Sequence, residues 1–289
     1  MEEYTLTNDY IFKKIFGAEG NENILKELLI SILNIPIKEI EILHDVHLER
    51  ETEENKEGIL DIQGTLNNNI IVNIEMQVRN EYNMIDRSLY YWSKLYNKGL
   101  KKKQNYRENN RTIAINILDY NIFEEGPYHE KCMIKREYNN EIITNDLEIH
   151  FIQIPKCKKE KIKTTLDFWI RFIGNIKDKE VEEMKGEISE ETWNAVAEVQ
   201  EQYWRIMEDP EMSAIADLRE KAIMDRKFLI AHAEKQAEER GLEKGMQKGI
   251  KEGIKEGIKE VAKKLKKEKV DIDIIAKTTE LTRKEIEEL

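Results

Sequence analysis

Apolar positions set the period of nearly every segment, and that period switches between helical and extended several times along the chain. Tyr10, Ile11, Phe12, Ile15 and Phe16 follow the helix-start cluster Thr7-Asn8-Asp9 and precede Gly17, which predicts a short first helix. Ile24, Leu25, Leu28, Leu29, Ile32 and Leu33 recur at helical spacing until Pro36, and residues 40–48 predict the first strand. Residues 58–66 and 70–78 predict the arms of a β-hairpin around Asn67-Asn68-Asn69. The second arm alternates, with Ile70, Val72, Ile74, Met76 and Val78 on one face and Asn73, Glu75 and Gln77 on the other, the pattern of a half-buried strand. A stripe through Ile85, Leu89, Trp92 and Tyr96 predicts a helix over 82–103, followed by an apolar strand over 112–118. Residues 131–137 and 141–144 predict a second hairpin around Asn139-Asn140, and 147–154 a strand that stops at Pro155.

Beyond Pro155 the pattern is helical over 162–176, 181–185 and 189–207, with a break at Asp209-Pro210. One long helix is predicted from Glu211, and in it Gly241, Gly245, Gly249, Gly253 and Gly257 recur every fourth residue, each followed by Leu, Met or Ile. A period of four overshoots the helical 3.6, so the apolar stripe drifts by about 40° per repeat and fixes no single coiled-coil seam. Each glycine costs the helix about 1 kcal/mol relative to alanine. The segment is expected to be a marginal helical stalk, or one stabilised by self-association along its glycine edge. Residues 271–276 and 281–286 close the chain with a helix-turn-helix rhythm. The organisation expected is a globular core over 1–155, a helical subdomain over 156–209 and a helical stalk with short terminal helices over 210–289.

Charge narrows the function classes. The 289 residues carry a formal net charge of −11, which argues against non-specific coating of nucleic acid. Basic residues gather locally between Lys98 and Arg111 and again at Lys156, Lys158, Lys159, Lys161 and Lys163, each run readable as a phosphate-contacting surface or a solvated face. Cys132 and Cys157 are the two cysteines, there is no signal-peptide pattern, and no apolar run approaches the roughly 18 residues a membrane span needs. A cytoplasmic protein with free thiols is expected.

The chemistry concentrates in the first hairpin. If its loop is residues 67–69, Asp61 lies directly across from Glu75 with Cβ atoms about 5 Å apart. Two carboxylates in direct opposition repel unless neutralised, and a hard divalent cation is the usual neutraliser; acids on a solvated strand face are the bland alternative. A two- or four-residue loop would instead place Met76 opposite Asp61 and send the two acids to different faces. Gln77 shares the face of Glu75 and is placed to orient water or phosphate, while the two acids would hold a cation that lowers the pKa of bound water for phosphodiester hydrolysis. On the following helix Arg87 and Tyr91 stand at i and i+4, placed either to meet a phosphate or to pack on the sheet. Asp9 and Lys13 share a face of the first helix, where Asp9 reads as a helix-start acid or as a third ligand. Walker, Gly-X-Ser-X-Gly and Rossmann signatures are absent from the sequence.

Thr7-Asn-Asp-Tyr-Ile-Phe-Lys-Lys-Ile-Phe-Gly17, Ile59-Leu-Asp-Ile-Gln63, Asn73-Ile-Glu-Met-Gln77 and Arg87-Ser-Leu-Tyr-Tyr-Trp-Ser-Lys-Leu-Tyr96 resemble the Rpn family of recombination-promoting nucleases and transposases, within the PD-(D/E)XK nuclease superfamily. The resemblance extends over nearly the whole chain, through Leu147-Glu-Ile-His-Phe-Ile152 and the Lys-Gly-rich tail. It implies an α/β fold with a restriction-endonuclease-like αβββαβ core and mixed sheet, a C-terminal all-helical extension, and Mg²⁺-dependent DNA endonuclease activity with Mn²⁺ as a substitute. The metal ligands would fall on Asp61 and Glu75, Gln77 would stand where the superfamily usually has a lysine, and Arg87 and Tyr91 sit where some branches carry Gln-X-X-X-Tyr. DNA is the implied partner, with homo-oligomerisation through the C-terminal helices. The competing expectation is a non-catalytic DNA-binding or assembly platform on the same fold.

Overall fold

The computed structural model describes residues 5–43, 47–48, 58–59, 62–99, 109–184 and 186–289. Asp61, the acidic segment 49–57 and most of the first basic run, 100–108, lie outside the described residues. The chain divides into two compact units, Met1–Met224 and Asp225–Leu289.

The first unit opens with helices α1 (Asp9–Phe16) and α2 (Glu22–Leu33). The Asn8 side chain caps α1 by accepting from Ile11 N, and Gly17 ends it with its N–H on the Lys13 carbonyl. A Cβ on Gly17 would stand 2.8 Å from that carbonyl oxygen and 3.2 Å from Ile62 Cγ1, so the glycine lets the end of α1 close onto the sheet. Strands β1 (Ile40–Leu43), β2 (His47–Leu48), β3 (Gly58–Ile59), β4 (Ile62–Leu66) and β5 (Ile70–Gln77) follow, then α3 (Met84–Gly99), β6 (Arg111–Leu118), β7 (His129–Met133) and β8 (Leu147–Gln153).

Six strands form one mixed sheet in the order β1-β4-β5-β6-β8-β7, while β2 and β3 pair separately. β5, β6 and β8 are parallel, and β1, β4 and β7 join antiparallel. This is the α/β mixed-sheet core, with a C-terminal helical extension, that the sequence predicts. The first hairpin has the predicted register, Leu66 against Ile70 through Ile62 against Ile74. Its loop turns on Asn67 and Asn68 in left-handed conformation, which asparagine tolerates. The Asn67 side chain accepts from Lys38 N at 2.8 Å and donates to the Pro36 carbonyl at 3.1 Å, pinning the loop to the chain before β1.

One sheet face carries Val72, Ile74, Met76, Ile113, Ile115 and Ile117 into the main core, where α1, α2, α5 (Thr165–Gly174) and α7 (Glu190–Glu208) cover it. Phe12 stacks on Phe16 at 4.6 Å, and Phe16 meets the fully buried Trp169 edge-on at 6.2 Å. Burial of each such ring contributes roughly 2–3 kcal/mol. The opposite face packs under α3 through Met84, Ala114, Leu118, Ile149 and Phe151. β5 is therefore buried on both sides, and Asn73 and Glu75 are each 1% exposed rather than solvated as a half-buried strand would leave them.

Two local expectations change. Pro155 does not simply end a strand: it sits in the first turn of the short helix α4 (Ile154–Cys157), where a missing N–H costs nothing. The hairpin around Asn139-Asn140 is reduced to a single bridge between Lys135 and Ile142, because β7 pairs instead along β8. Helix α6 (Lys179–Glu183) precedes α7.

Helix α8 (Pro210–Lys267) carries the glycine repeat. A Cβ at Gly241, Gly245, Gly249, Gly253 or Gly257 would meet nothing within 4 Å, and Leu242, Met246, Ile250 and Ile254 are exposed. In the second unit α9 (Ile272–Thr279) and α10 (Arg283–Glu287) bury Ile275 and Ile286 with Ala262, matching the helix-turn-helix rhythm. No helix among the described residues is long and apolar enough to cross a membrane.

Candidate active site

The polar face of the first hairpin becomes a site because α3 lies across it. Period-two alternation puts Asn73, Glu75 and Gln77 on one side of β5, and the register sets Gln63 opposite Asn73 and Asn116 of β6 beside Glu75. Ser88 docks the helix: its hydroxyl donates to Asn116 Oδ1 at 3.1 Å, and Asn116 Nδ2 donates to the His150 carbonyl at 3.0 Å. Trp92 Nε1 donates to the Thr112 carbonyl at 2.9 Å, fixing α3 a turn further on.

One turn of helix thus delivers Arg87 to Glu75, with Nη2 and Oε2 2.8 Å apart. The Gln77 amide turned with its oxygen inward accepts from Arg87 Nη2 at 3.1 Å and Nη1 at 3.2 Å, which is the orientation that satisfies both groups. The guanidinium lies over the Tyr91 ring at 5.3 Å. Beside it, burial pushes the Tyr120 hydroxyl up to about 12 while Arg87 pulls it down, so the phenol keeps its proton at neutral pH. A buried carboxylate, a forked cation and two neutral amides meet here.

The structure therefore brings together Glu75, Gln77, Arg87 and Tyr91. Asp61 precedes Ile62 in the chain and lies outside the described residues. Asp9 and Lys13 belong to α1, which packs on the other face of the sheet, and the Asp9 carboxylate accepts from Tyr10 N at 2.9 Å at the start of that helix. Lys13 lines a 360 Å³ pocket with Tyr10, Lys14, Gly17, Ala18 and Glu19. Gln63, Asn73, Asn116, Ser88 and Tyr120 join the site without having been singled out from the sequence. The register implies Gln63 and Asn73, and an asparagine inside the apolar run 112–118 was the signal for Asn116.

The donor set suits a hard cation. Carboxylate and amide oxygens of the kind gathered here suit Mg²⁺ or Mn²⁺ rather than zinc, and the Arg87 guanidinium shows that positive charge is accommodated against Glu75. Among the described residues no cluster of three His, Cys, Asp or Glu side chains forms a metal centre by itself, so a second acid would come from Asp61.

A second polar cluster occupies the opposite sheet face. Glu148 and His150 are each 1% exposed. The Glu148 carboxylate accepts from Arg111 at 2.6 Å, Lys131 at 3.0 Å and His150 Nε2 at 2.7 Å, and His150 Nδ1 lies 2.7 Å from His129 Nε2. Burial pushes the Glu148 carboxyl up, and the hydrogen bonds from His150, Lys131 and Arg111 override it and hold it down at about 2. Burial, with His150 and Lys131 nearby, lowers His129 to about 4. This network ties β6, β7 and β8 together.

Residues 6–233 match the family model described as PD-(D/E)XK nuclease family transposase. No curated protein and no solved structure matches the chain. With the match covering most of the chain and the mixed sheet carrying Glu75 and Gln77 at the end of a central strand, the protein belongs to the PD-(D/E)XK nuclease family transposases.

Proposed function

We propose that the protein is a metal-dependent DNA endonuclease that hydrolyses phosphodiester bonds, with Asp61 and Glu75 as ligands of Mg²⁺, or of Mn²⁺ in its place. The supporting observation is the buried Glu75 carboxylate held against the Arg87 guanidinium and next to Gln77. A divalent cation bound there would lower the pKa of a water and offset charge on the phosphoryl oxygens. Gln77 orients a neutral donor and acceptor toward the water or phosphate without exchanging protons. Arg87, whose fork matches phosphate geometry, is placed to neutralise the substrate, with Tyr91 supporting its plane. The exposed lysines 158, 159, 161 and 163 follow β8 and offer a route for backbone phosphates. The roles suggested by family are DNA recombination and element mobility. Residues 1–155 would form the nuclease core, supported by 156–209 and the stalk 210–289. The thiols Cys132 and Cys157 are free, and burial pushes Cys157 up to about 12, as fits an inert thiol in a reducing cytoplasm.

Purified protein is expected to cut plasmid DNA with Mg²⁺ or Mn²⁺, and Asp61→Ala to remove that cutting while leaving the circular dichroism spectrum unchanged. Metal-dependent cutting by the pure variant would defeat the assignment. A second reading has its own observation: Arg87 pairs with Glu75 at 2.8 Å and so occupies the carboxylate that a metal would need. Wild-type protein that binds DNA yet cuts under neither metal would establish it.

Self-association is assigned to the glycine edge of α8, open at every Cβ position and bordered by exposed Leu242, Met246, Ile250 and Ile254. Replacing Gly241, Gly245, Gly249, Gly253 and Gly257 by alanine should raise helicity by about 0.5–1 kcal/mol per site. Close packing along the edge requires that it also weaken association in sedimentation equilibrium. A more helical variant with unchanged mass would place the interface elsewhere.

A further inference from the structure

Two buried oxygens lie beside Glu75 with nothing to accept. Asn73 is 1% exposed and Gln63 6%, and they face each other across β4 and β5. Asn73 Oδ1 and Gln63 Oε1 make no hydrogen bond, and among the described residues they are the two buried side-chain oxygens in that condition. An unsatisfied buried acceptor costs stability, and apolar side chains of similar shape would remove the cost. The Asn73 amide also touches the proposed centre: its Nδ2 donates to Glu75 Oε1 over a long 3.4 Å, leaving its oxygen turned away.

We infer that Asn73 is an oxygen ligand of a divalent cation held by Glu75, and that Gln63 is the positioning residue for its amide; this rests on the metal-centre reading above. With a cation at Glu75, a half-turn of the Asn73 amide exchanges a weak N–H contact for an oxygen directed at the cation. The same turn puts Nδ2 where the unbonded oxygen stood, on the strand pair whose register partner is Gln63 with its own unbonded Oε1. A single rotation then gives the Asn73 oxygen a cation to bind and leaves an N–H for its register partner's acceptor. Neutral amide oxygens are ordinary ligands for Mg²⁺ and Mn²⁺, and they enlarge the donor set without adding negative charge beside the acids. The apolar packing of α3 over this face leaves a neutral ligand far easier to bury than a third carboxylate.

The test is calorimetric titration of the full chain with Mn²⁺ in the absence of DNA, beside thermal melts in chelator. Asn73→Leu should melt at or above the wild-type temperature without metal and bind Mn²⁺ about tenfold or more weakly. Gln63→Leu should show the same trade with a smaller loss of affinity. Asn73→Asp should do the reverse, melting lower without metal and binding Mn²⁺ about tenfold more tightly. Equal Mn²⁺ affinity in wild type and Asn73→Leu overturns the ligand assignment and leaves the metal centre standing. If Asn73→Leu does not fold, equal affinity in Asn73→Asp and wild type overturns it. Wild-type protein that takes up no Mn²⁺ overturns both readings together.

Discussion

Glu75→Gln is expected to lower plasmid cleavage by about a thousandfold or more, since a metal ion contributes several kcal/mol to the transition state and each 1.36 kcal/mol is tenfold. The substitution is nearly isosteric, and its amide oxygen can still accept from Arg87, so the fold should lose only about 1–3 kcal/mol. What it removes is the negative charge that, with Asp61, would hold the cation. Arg87 is 26% exposed at its side chain, so its charge can turn toward solvent when the carboxylate is gone. Single-turnover cleavage under saturating Mn²⁺, with a melt of the same sample, measures both quantities. A variant that keeps more than about a tenth of the wild-type rate would remove Glu75 from the metal centre. Loss of rate together with a collapse of the melting temperature would instead mark the Glu75–Arg87 pair as a structural ion pair.

The hairpin that carries Glu75 was legible because two local signals agree: alternation assigns the faces, and Asn67 and Asn68 tolerate the left-handed turn that fixes register. Alternation tells which side a residue faces, but not what covers that side. Glu75 and Asn73 read as solvated, yet α3 returns over them, and the Arg87 contact depends on how Ser88 and Trp92 dock that helix. The register of β7 was not legible because its partner β8 lies beyond an intervening bridged turn, and a nearer pairing looked equally good. Glu148 and His150 were read as part of an apolar strand. Their partners Arg111, Lys131 and His129 come from two other strands, and no window of sequence contains the network. Local period thus found the elements, while buried charge was found only once distant strands were adjacent.

That network makes stability depend on one buried carboxylate and on pH. Removing the Glu148 charge leaves an amide at a position that is 1% exposed, while Arg111 and Lys131, whose side chains are 27% and 42% exposed, can turn toward solvent. Glu148→Gln should therefore destabilise the first unit by about 1–3 kcal/mol, the usual loss when charge-assisted hydrogen bonds to a buried group are weakened. For a unit of this size that is a fall in Tm of about 5 °C. The pH dependence follows from the two lowered groups. Glu148 has a folded pKa of about 2 against an ordinary 4.5, so its contribution is complete above about pH 4.5 and is lost as pH falls toward 2. His129 has a folded pKa of about 4 against 6.5, so the unfolded chain binds the extra proton first, and stability declines as pH falls from about 6.5 to 4. Each shift corresponds to about 3 kcal/mol at most. The protein should therefore soften in acid in two stages, the histidine stage first. His129→Phe preserves a ring against His150, which His129 stacks on at 5.0 Å, and removes the titrating group. Urea melts from pH 7.5 to 4 should show a flatter stability profile in His129→Phe than in wild type, whereas parallel profiles would show that His129 does not govern acid sensitivity.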